Sequence, residues 1–131
     1  MKRHPELVDL SREHQRALQL GVTGRRIAKA QEAKAIQQFI ENCMQAFTSE
    51  FGPHFQEEER DLITRLQAAG ETALVQRMLD DHAQLRQLAD KLPDWEALDI
   101  EMFAECMIAH VRFEEREVFP RFEVLFLNVK E

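Results

Sequence analysis

Tyrosine is absent from this sequence, and glycine and proline number only four each among 131 residues. So few helix breakers, in a chain dominated by aliphatic residues, Ala, Gln, Glu and Arg, favour long helices over a sheet. Long apolar runs are also missing, and MKRHPELVDL at the start has two basic residues with no apolar segment behind them. Neither a membrane span nor a signal peptide is expected, and the reading is a soluble, cytoplasmic protein. Basic excess is lacking as well: the formal charge is −7 at pH 7. A nucleic-acid-binding surface would need a basic stripe, so RNA and DNA are not expected partners. Two cysteines, Cys43 and Cys106, make neither a disulfide framework nor a C-x-x-C site, and are read as reduced thiols of the core. E-x-x-H, H-E-x-x-H, a glycine-rich phosphate loop and a nucleophile elbow are all missing.

What is present is helical period. Leu7, Leu10, His14, Ala17, Gly21, Gly24 and Ala28 recur at three- and four-residue steps, predicting a first helix from about Ser11, or slightly earlier, to about Ala30, with Ser11 as a candidate cap. Ile36, Phe39, Ile40, Cys43, Met44, Phe47, Phe51, His54 and Glu58 continue the period along a second helix, with Leu62 and Leu66 beyond. Gly52-Pro53 is expected to kink or break it just before His54. Leu74, Val75, Met78, Leu79, His82, Leu85, Leu88 and Leu92 form a third stripe between Gly70 and Pro93-Asp94. Ile100, Phe103, Met107, His110, Glu114 and Val118 form a fourth, which Pro120 should end or bend. Short connections between four such helices give an all-α, up-down-up-down antiparallel bundle, one domain over 1–131 with its ordered part at about 7–127. If His54 and His82 stand at equal height, the turn between them falls near Gly70; for His82 and His110 it falls near Pro93-Asp94. For His14 and His54 the same rule places the turn near residue 34, where no breaker stands.

The histidines carry the chemistry. HFQEEER, from His54, returns at His110 as HVRFEER, so two helices each present an imidazole and, four residues on, a carboxylate on one face. The other two helices supply His14 and His82 from their own apolar stripes. A lone buried histidine needs no metal, but burying Glu58 and Glu114 as ions would cost several kcal/mol each without a compensating cation. Six candidate metal ligands therefore converge: His14, His54, Glu58, His82, His110 and Glu114. Imidazole with carboxylate and no thiolate suits iron, manganese or zinc, and six ligands exceed the four of a structural zinc site. The repeat also aligns Glu59 with Glu115 and pairs Glu13-His14 with Asp81-His82, as a helical hairpin used twice would. Asp61 and Glu117 are either acceptors behind the ligands or partners of nearby Arg side chains; Glu57, Glu59 and Arg60 are surface residues or lie behind the ligands. Gly21 either leaves room for a gas channel or lets helices pack closely, and Met78 and Phe113 either shape the pocket or pack the core. His4 is read as having no specific role.

The order His, H-x-x-x-E, His, H-x-x-x-E, carried by LSREHQ, HFQEEERDLI, DDHAQL and HVRFEEREVFP, resembles the hemerythrin-like cation-binding family. That resemblance implies a four-helix bundle holding two iron ions, oxo- or hydroxo-bridged, with the carboxylates bridging and the histidines terminal. Manganese or zinc are the substitutes. The positions four residues either side of His82 are Met78 and Arg86, and the last carboxylate is Glu114 at four-residue spacing. The resemblance is thus to the four-His, two-Glu branch rather than to five-His oxygen carriers. The branch's iron-centre repair proteins have an N-terminal cysteine pair, which this sequence does not show. The expected function is binding of, or reaction with, O2, NO or H2O2 in sensing or stress response, with a protein as electron donor. The alternative is a reversible oxygen-binding or iron-storage module without turnover. Which histidines share an iron is open at this level.

Overall fold

The computed structural model of the chain describes residues 3–129. Helices account for nearly all of it, in four rods: α1 (Val8–Ala30), α2 (33–68), α3 (Thr72–Asp90) and α4 (97–126). A short 3₁₀ turn, Pro5–Leu7, precedes α1, and His4 caps it: the Glu6 backbone N–H donates to His4 Nδ1 at 3.1 Å. His4 therefore has a structural role that its sequence context did not suggest. Ser11 lies inside α1 and caps nothing; its hydroxyl donates to Glu115 Oε2 at 2.9 Å.

The first connection is short and falls slightly before the expected position. Gln31 ends α1 in the left-handed region (φ 53°), and Glu32 caps α2 by accepting from the backbone N–H groups of Lys34 and Ala35. Between α2 and α3, Gly70 takes φ 83°, a conformation open to glycine at little cost. After α3, Trp95 donates from its indole N–H to the Leu88 carbonyl at 2.8 Å. Glu96 and Asp99 then start α4 with a reciprocal capping box.

Neither Pro53 nor Pro120 breaks its helix. Each stands two residues beyond a π-helical turn, Phe47–Phe51 and Glu114–Val118 respectively. Because a π turn shifts backbone bonding from i−4 to i−5, the proline's missing N–H is absorbed where the regular ladder is already interrupted. Gly52 belongs to the same device: its N–H bonds the Phe47 carbonyl, and a Cβ there would stand 2.9 Å from that oxygen. A third π turn, Glu58–Ile63, follows His54.

The core is two apolar clusters with a polar layer between them. One contains Ala17, Phe51, Phe55, Leu85, Met107 and Val111; the other contains Leu10, Leu62, Met78, Phe113 and Val118. His14, His54, Glu58, His82, His110 and Glu114 lie between these residues along their helices and are all buried. The stripes read from sequence face inward except at Met44 and Leu79, which are 42% and 39% exposed. Cys43 is fully buried, while Cys106 is half-buried, so only one of the two thiols is a true core residue.

The longest seam in the molecule is between α1 and α4. Gly21 makes it close: a Cβ there would meet Ile108 Cγ1 at 2.9 Å, while one on Gly24 would meet Phe39 Cζ of α2 at 2.8 Å. Gly21 thus serves packing and leaves no channel. Among the described residues, no helix is long and apolar enough to cross a membrane.

Candidate metal centre

Each ligand-type side chain reaches the polar layer because its helix places it on the inward stripe, and the i, i+4 spacing stacks His54 over Glu58 and His110 over Glu114. The π turns begin at the two glutamates themselves, Glu58–Ile63 and Glu114–Val118. Interrupted helices of this kind recur at functional sites, and here the interruption occurs at the same point of both copies of the repeat.

The six residues form two groups whose ligand atoms lie within 4.8 Å of one another: His14, His54, Glu58 and Glu114 on one side, Glu58, His82, His110 and Glu114 on the other. Both glutamates belong to both groups. Glu58 turns Oε1 toward His82 Nε2 at 3.0 Å and Oε2 toward His54 Nε2 at 3.2 Å and His14 Nε2 at 3.4 Å. Glu114 Oε1 stands 2.7 Å from His14 Nε2 and 3.3 Å from His110 Nε2. Both carboxylates are completely excluded from solvent.

All four imidazoles point Nε2 inward and Nδ1 outward, and behind every Nδ1 stands another carboxylate. His14 meets Glu115 at 2.6 Å, His54 meets Glu13 at 2.6 Å, His82 meets Glu59 at 2.7 Å and His110 meets Asp81 at 3.0 Å. An ionised carboxylate only accepts, so each Nδ1 carries the donated proton; in a neutral ring the Nε2 lone pair then faces the centre. The pattern is reciprocal. The acid next to His14 holds His54, the acid next to His82 holds His110, and the acids following Glu58 and Glu114 hold His82 and His14. Arg86 pairs with Glu59 at 2.7 Å and Arg77 with Asp81 at 3.2 Å, which anchors two of these carboxylates in turn. Ring faces are covered by phenylalanine: Phe119 stacks on His14 at 5.0 Å and Phe55 on His82 at 4.3 Å.

Of these four supporting acids, sequence reading left Glu59 among alternatives and gave Glu13, Asp81 and Glu115 no role beyond their place in the repeat. Asp61 and Glu117, the other candidates for that role, are exposed, and Asp61 pairs with its neighbour Arg60 at 3.0 Å. The π turns explain the outcome: widening the helix after Glu58 and Glu114 turns Asp61 and Glu117 outward and leaves Leu62 and Val118 inside. Glu57 and Arg60 do not enter the cluster. Met78 belongs to the apolar cluster below it, and the Arg77 guanidinium lies 4.4 Å above the Phe113 ring.

The electrostatics are those of a cation site. Burial alone would lower the pKa of His110, but Glu114 and Asp81 overcome it and raise it to about 10. His14 is likewise raised well above its ordinary value, against burial, chiefly by Glu114 and Glu115. Burial would raise Glu58, yet neighbouring Glu114 and the imidazoles of His54 and His14 hold it well below the usual carboxylate range. Asp81 is lowered against its partial burial by His110, and Glu59 by Arg86 and His82. Without a cation, the cluster balances its charge by holding protons on imidazoles.

That balance is incomplete. His54 Nε2, Glu58 Oε2, His110 Nε2 and Glu114 Oε2 are buried without a hydrogen-bond partner, although the ion-pair distances above are short. Four orphaned polar atoms in one layer are costly, and all four aim at the places a cation would occupy. The donor set therefore fits a metal: imidazoles held at Nδ1 by carboxylates so that Nε2 faces the centre, and carboxylates shared between two groups.

A small internal cavity of about 10 Å³ adjoins the centre, lined by His14, His54 and His110 on its polar side and by Ala17, Phe51, Phe55, Met107 and Val111 on its apolar side, with Glu13 at its edge. The space is about that of one water molecule.

The family model for the hemerythrin HHE cation binding domain matches residues 6–122. No curated protein and no solved structure matches the chain. The match takes in all six converging side chains and most of the sequence, and the chain belongs to the hemerythrin HHE cation-binding family.

Proposed function

We propose that the polar layer holds two iron ions, and that the protein binds or reacts with a small diatomic or peroxide. The observation that carries this reading is that Glu58 and Glu114 are shared by two His-containing groups. His14 and His54 would hold one ion, His82 and His110 the other, and the two glutamates would bridge them. Each group offers four protein ligand atoms that would hold an ion, and that ion would supply the chemistry toward a small ligand. Manganese and zinc suit the same donors; iron is favoured because it supplies one-electron chemistry toward O2, NO or H2O2.

The chain's own residues do the rest. Glu13, Glu59, Asp81 and Glu115 fix the imidazole tautomers and directions. Phe55 and Phe119 exclude water from ring faces. The cavity beside His54 and His110 gives the place next to the imidazoles an apolar wall. An up-down-up-down antiparallel topology underlies the arrangement. Its support is that the order of the two apolar clusters reverses from each helix to the next: Leu10 to Ala17, Phe51 to Leu62, Met78 to Leu85, and Met107 to Val118.

A binding role without turnover, in oxygen handling or iron storage, is the second reading. The largely apolar lining of the small cavity favours it, because a ligand held away from water and protons persists longer. Stopped-flow mixing of the reduced, iron-loaded protein with oxygen separates the two. A persistent and reversible spectrum identifies binding, and immediate oxidation identifies a sensor or an enzyme.

A further inference from the structure

The two halves of the bundle are equivalent at the ligands but not at the seams beside them. The correspondence that pairs His54 with His110 also pairs Thr48 with Ala104, Gly52 with Ile108 and Phe55 with Val111. Pairing His14 with His82 likewise pairs Gly21 with Ala89 and Gly24 with Leu92. On the α1–α4 side, Gly21 lets the helices close against Ile108, where a Cβ would stand at 2.9 Å, and Gly24 lies against Ala104 of α4 and Phe39 of α2. On the α2–α3 side, bulk is placed the other way round. Ala89 and Leu92 stand where the other side has Gly21 and Gly24, Gly52 stands where it has Ile108, and all three line a surface groove of about 480 Å³.

That groove leads toward the centre. Its walls include Met44, Phe47, Arg86, Ala89 and Leu92, and at its inner end stands Phe55. The same Phe55 lines the small cavity that touches His14, His54 and His110. Phe55 itself is 1% exposed and lines both spaces. Its face lies 4.3 Å from the His82 ring, and Arg86 covers it from outside with its guanidinium carbon 5.6 Å from the ring centroid.

We infer that Phe55 is the partition controlling access of small neutral molecules to the centre, and that they arrive through the α2–α3 groove. The inference rests on the proposed reading of the layer as a metal centre that takes a small ligand. Its physical basis is one buried aromatic ring that lines both an open groove and the small cavity beside the imidazoles, at the seam of the pseudo-symmetric pair that Gly21 does not close. The competing route passes Glu13, whose side chain is half exposed and also borders the cavity.

The test is the rate of nitric oxide association with the reduced, iron-loaded protein, followed anaerobically by stopped flow. Phe55→Leu should raise the association rate constant roughly tenfold, as removing about 1.4 kcal/mol of barrier would. Ala89→Trp, which fills the groove without reaching the imidazoles, should lower it by a similar factor. Val22→Trp, on an exposed position of α1, should leave it unchanged. Metal content measured on every sample separates the two levels of the account. Iron-loaded wild-type protein that takes up no nitric oxide removes the underlying reading, and this inference with it. Nitric oxide binding with equal rate constants in wild type, Phe55→Leu and Ala89→Trp overturns the inference alone and assigns access to the Glu13 side. Should Phe55→Leu fail to hold iron, Ala89→Trp decides the matter by itself: a slowed rate supports the groove and an unchanged one rejects it.

Discussion

Asp81 Oδ2 stands 3.0 Å from His110 Nδ1, although Asp81 is the sequence neighbour of a different histidine of the centre, His82. One short segment of α3 therefore supplies an imidazole to the layer and orients another imidazole on α4. Such supporting carboxylates fix the ring and raise its basicity, and their loss typically weakens metal binding 10–100-fold. Asp81→Ala should weaken binding of the ion proposed at His82 and His110 by roughly that factor. Competition against a chelator of known affinity measures it, and unchanged affinity would show that Asp81 plays no part in positioning.

Stability of the metal-free protein should fall on both sides of a mildly acidic optimum. Burial opposes charge on His110, but Glu114 and Asp81 prevail and raise its pKa to about 10 from an ordinary 6.5. The stability from this pairing is complete below pH 6.5 and is lost as pH rises through about 10. Glu58 is held below its ordinary 4.5, so its contribution is present above pH 4.5 and is lost as pH falls through the lowered value. A bound divalent ion keeps the imidazoles neutral, so loading should flatten the alkaline decline. Melting temperatures of metal-free and loaded samples between about pH 6 and about pH 10 provide the check. A metal-free protein with a level melting temperature across that range would contradict the assignment.

The unequal seams predict unequal tolerance. Gly21→Leu would force a side chain into Ile108 Cγ1, where even a Cβ stands at 2.9 Å, and should cost about 1–3 kcal/mol of stability. Ala89→Leu, at the corresponding place beside the groove, should change stability by no more than about 0.5 kcal/mol. Urea denaturation of the two variants measures the contrast, and equal losses would mean that the α2–α3 seam is as tightly packed as the other.

The centre was more legible in the sequence than the scaffold around it. His14, His54, Glu58, His82, His110 and Glu114 stood out because four-residue spacing on an apolar stripe fixes direction with little tertiary information. Their division into two groups required the rotation of each helix, which the sequence does not carry. Glu13, Glu59, Asp81 and Glu115 were visible as repeated neighbours of the ligands, yet assigning each to an imidazole of another helix needs the distances between rods. Asp61 and Glu117 show where periodicity fails: the phase was extrapolated at regular pitch through Glu58 and Glu114, where the backbone widens into π turns. Pro53 was expected to kink or break its helix and Pro120 to end or bend its own; a π turn interrupts the regular ladder beside each and the helix continues, a resolution that nothing local in the sequence announces. The first connection, at Gln31-Glu32, lacked a glycine or proline signal because Gln31 itself takes the left-handed conformation.

The measurement that bears most directly on the central claim is metal stoichiometry after anaerobic loading with ferrous iron, compared between wild type and Glu58→Ala. Glu58 belongs to both ligand groups, so its removal should release at least one ion. The account predicts two irons per wild-type chain and fewer than two in the variant. Two irons retained by Glu58→Ala, or a wild-type protein that takes up none and remains fully stable, would contradict it.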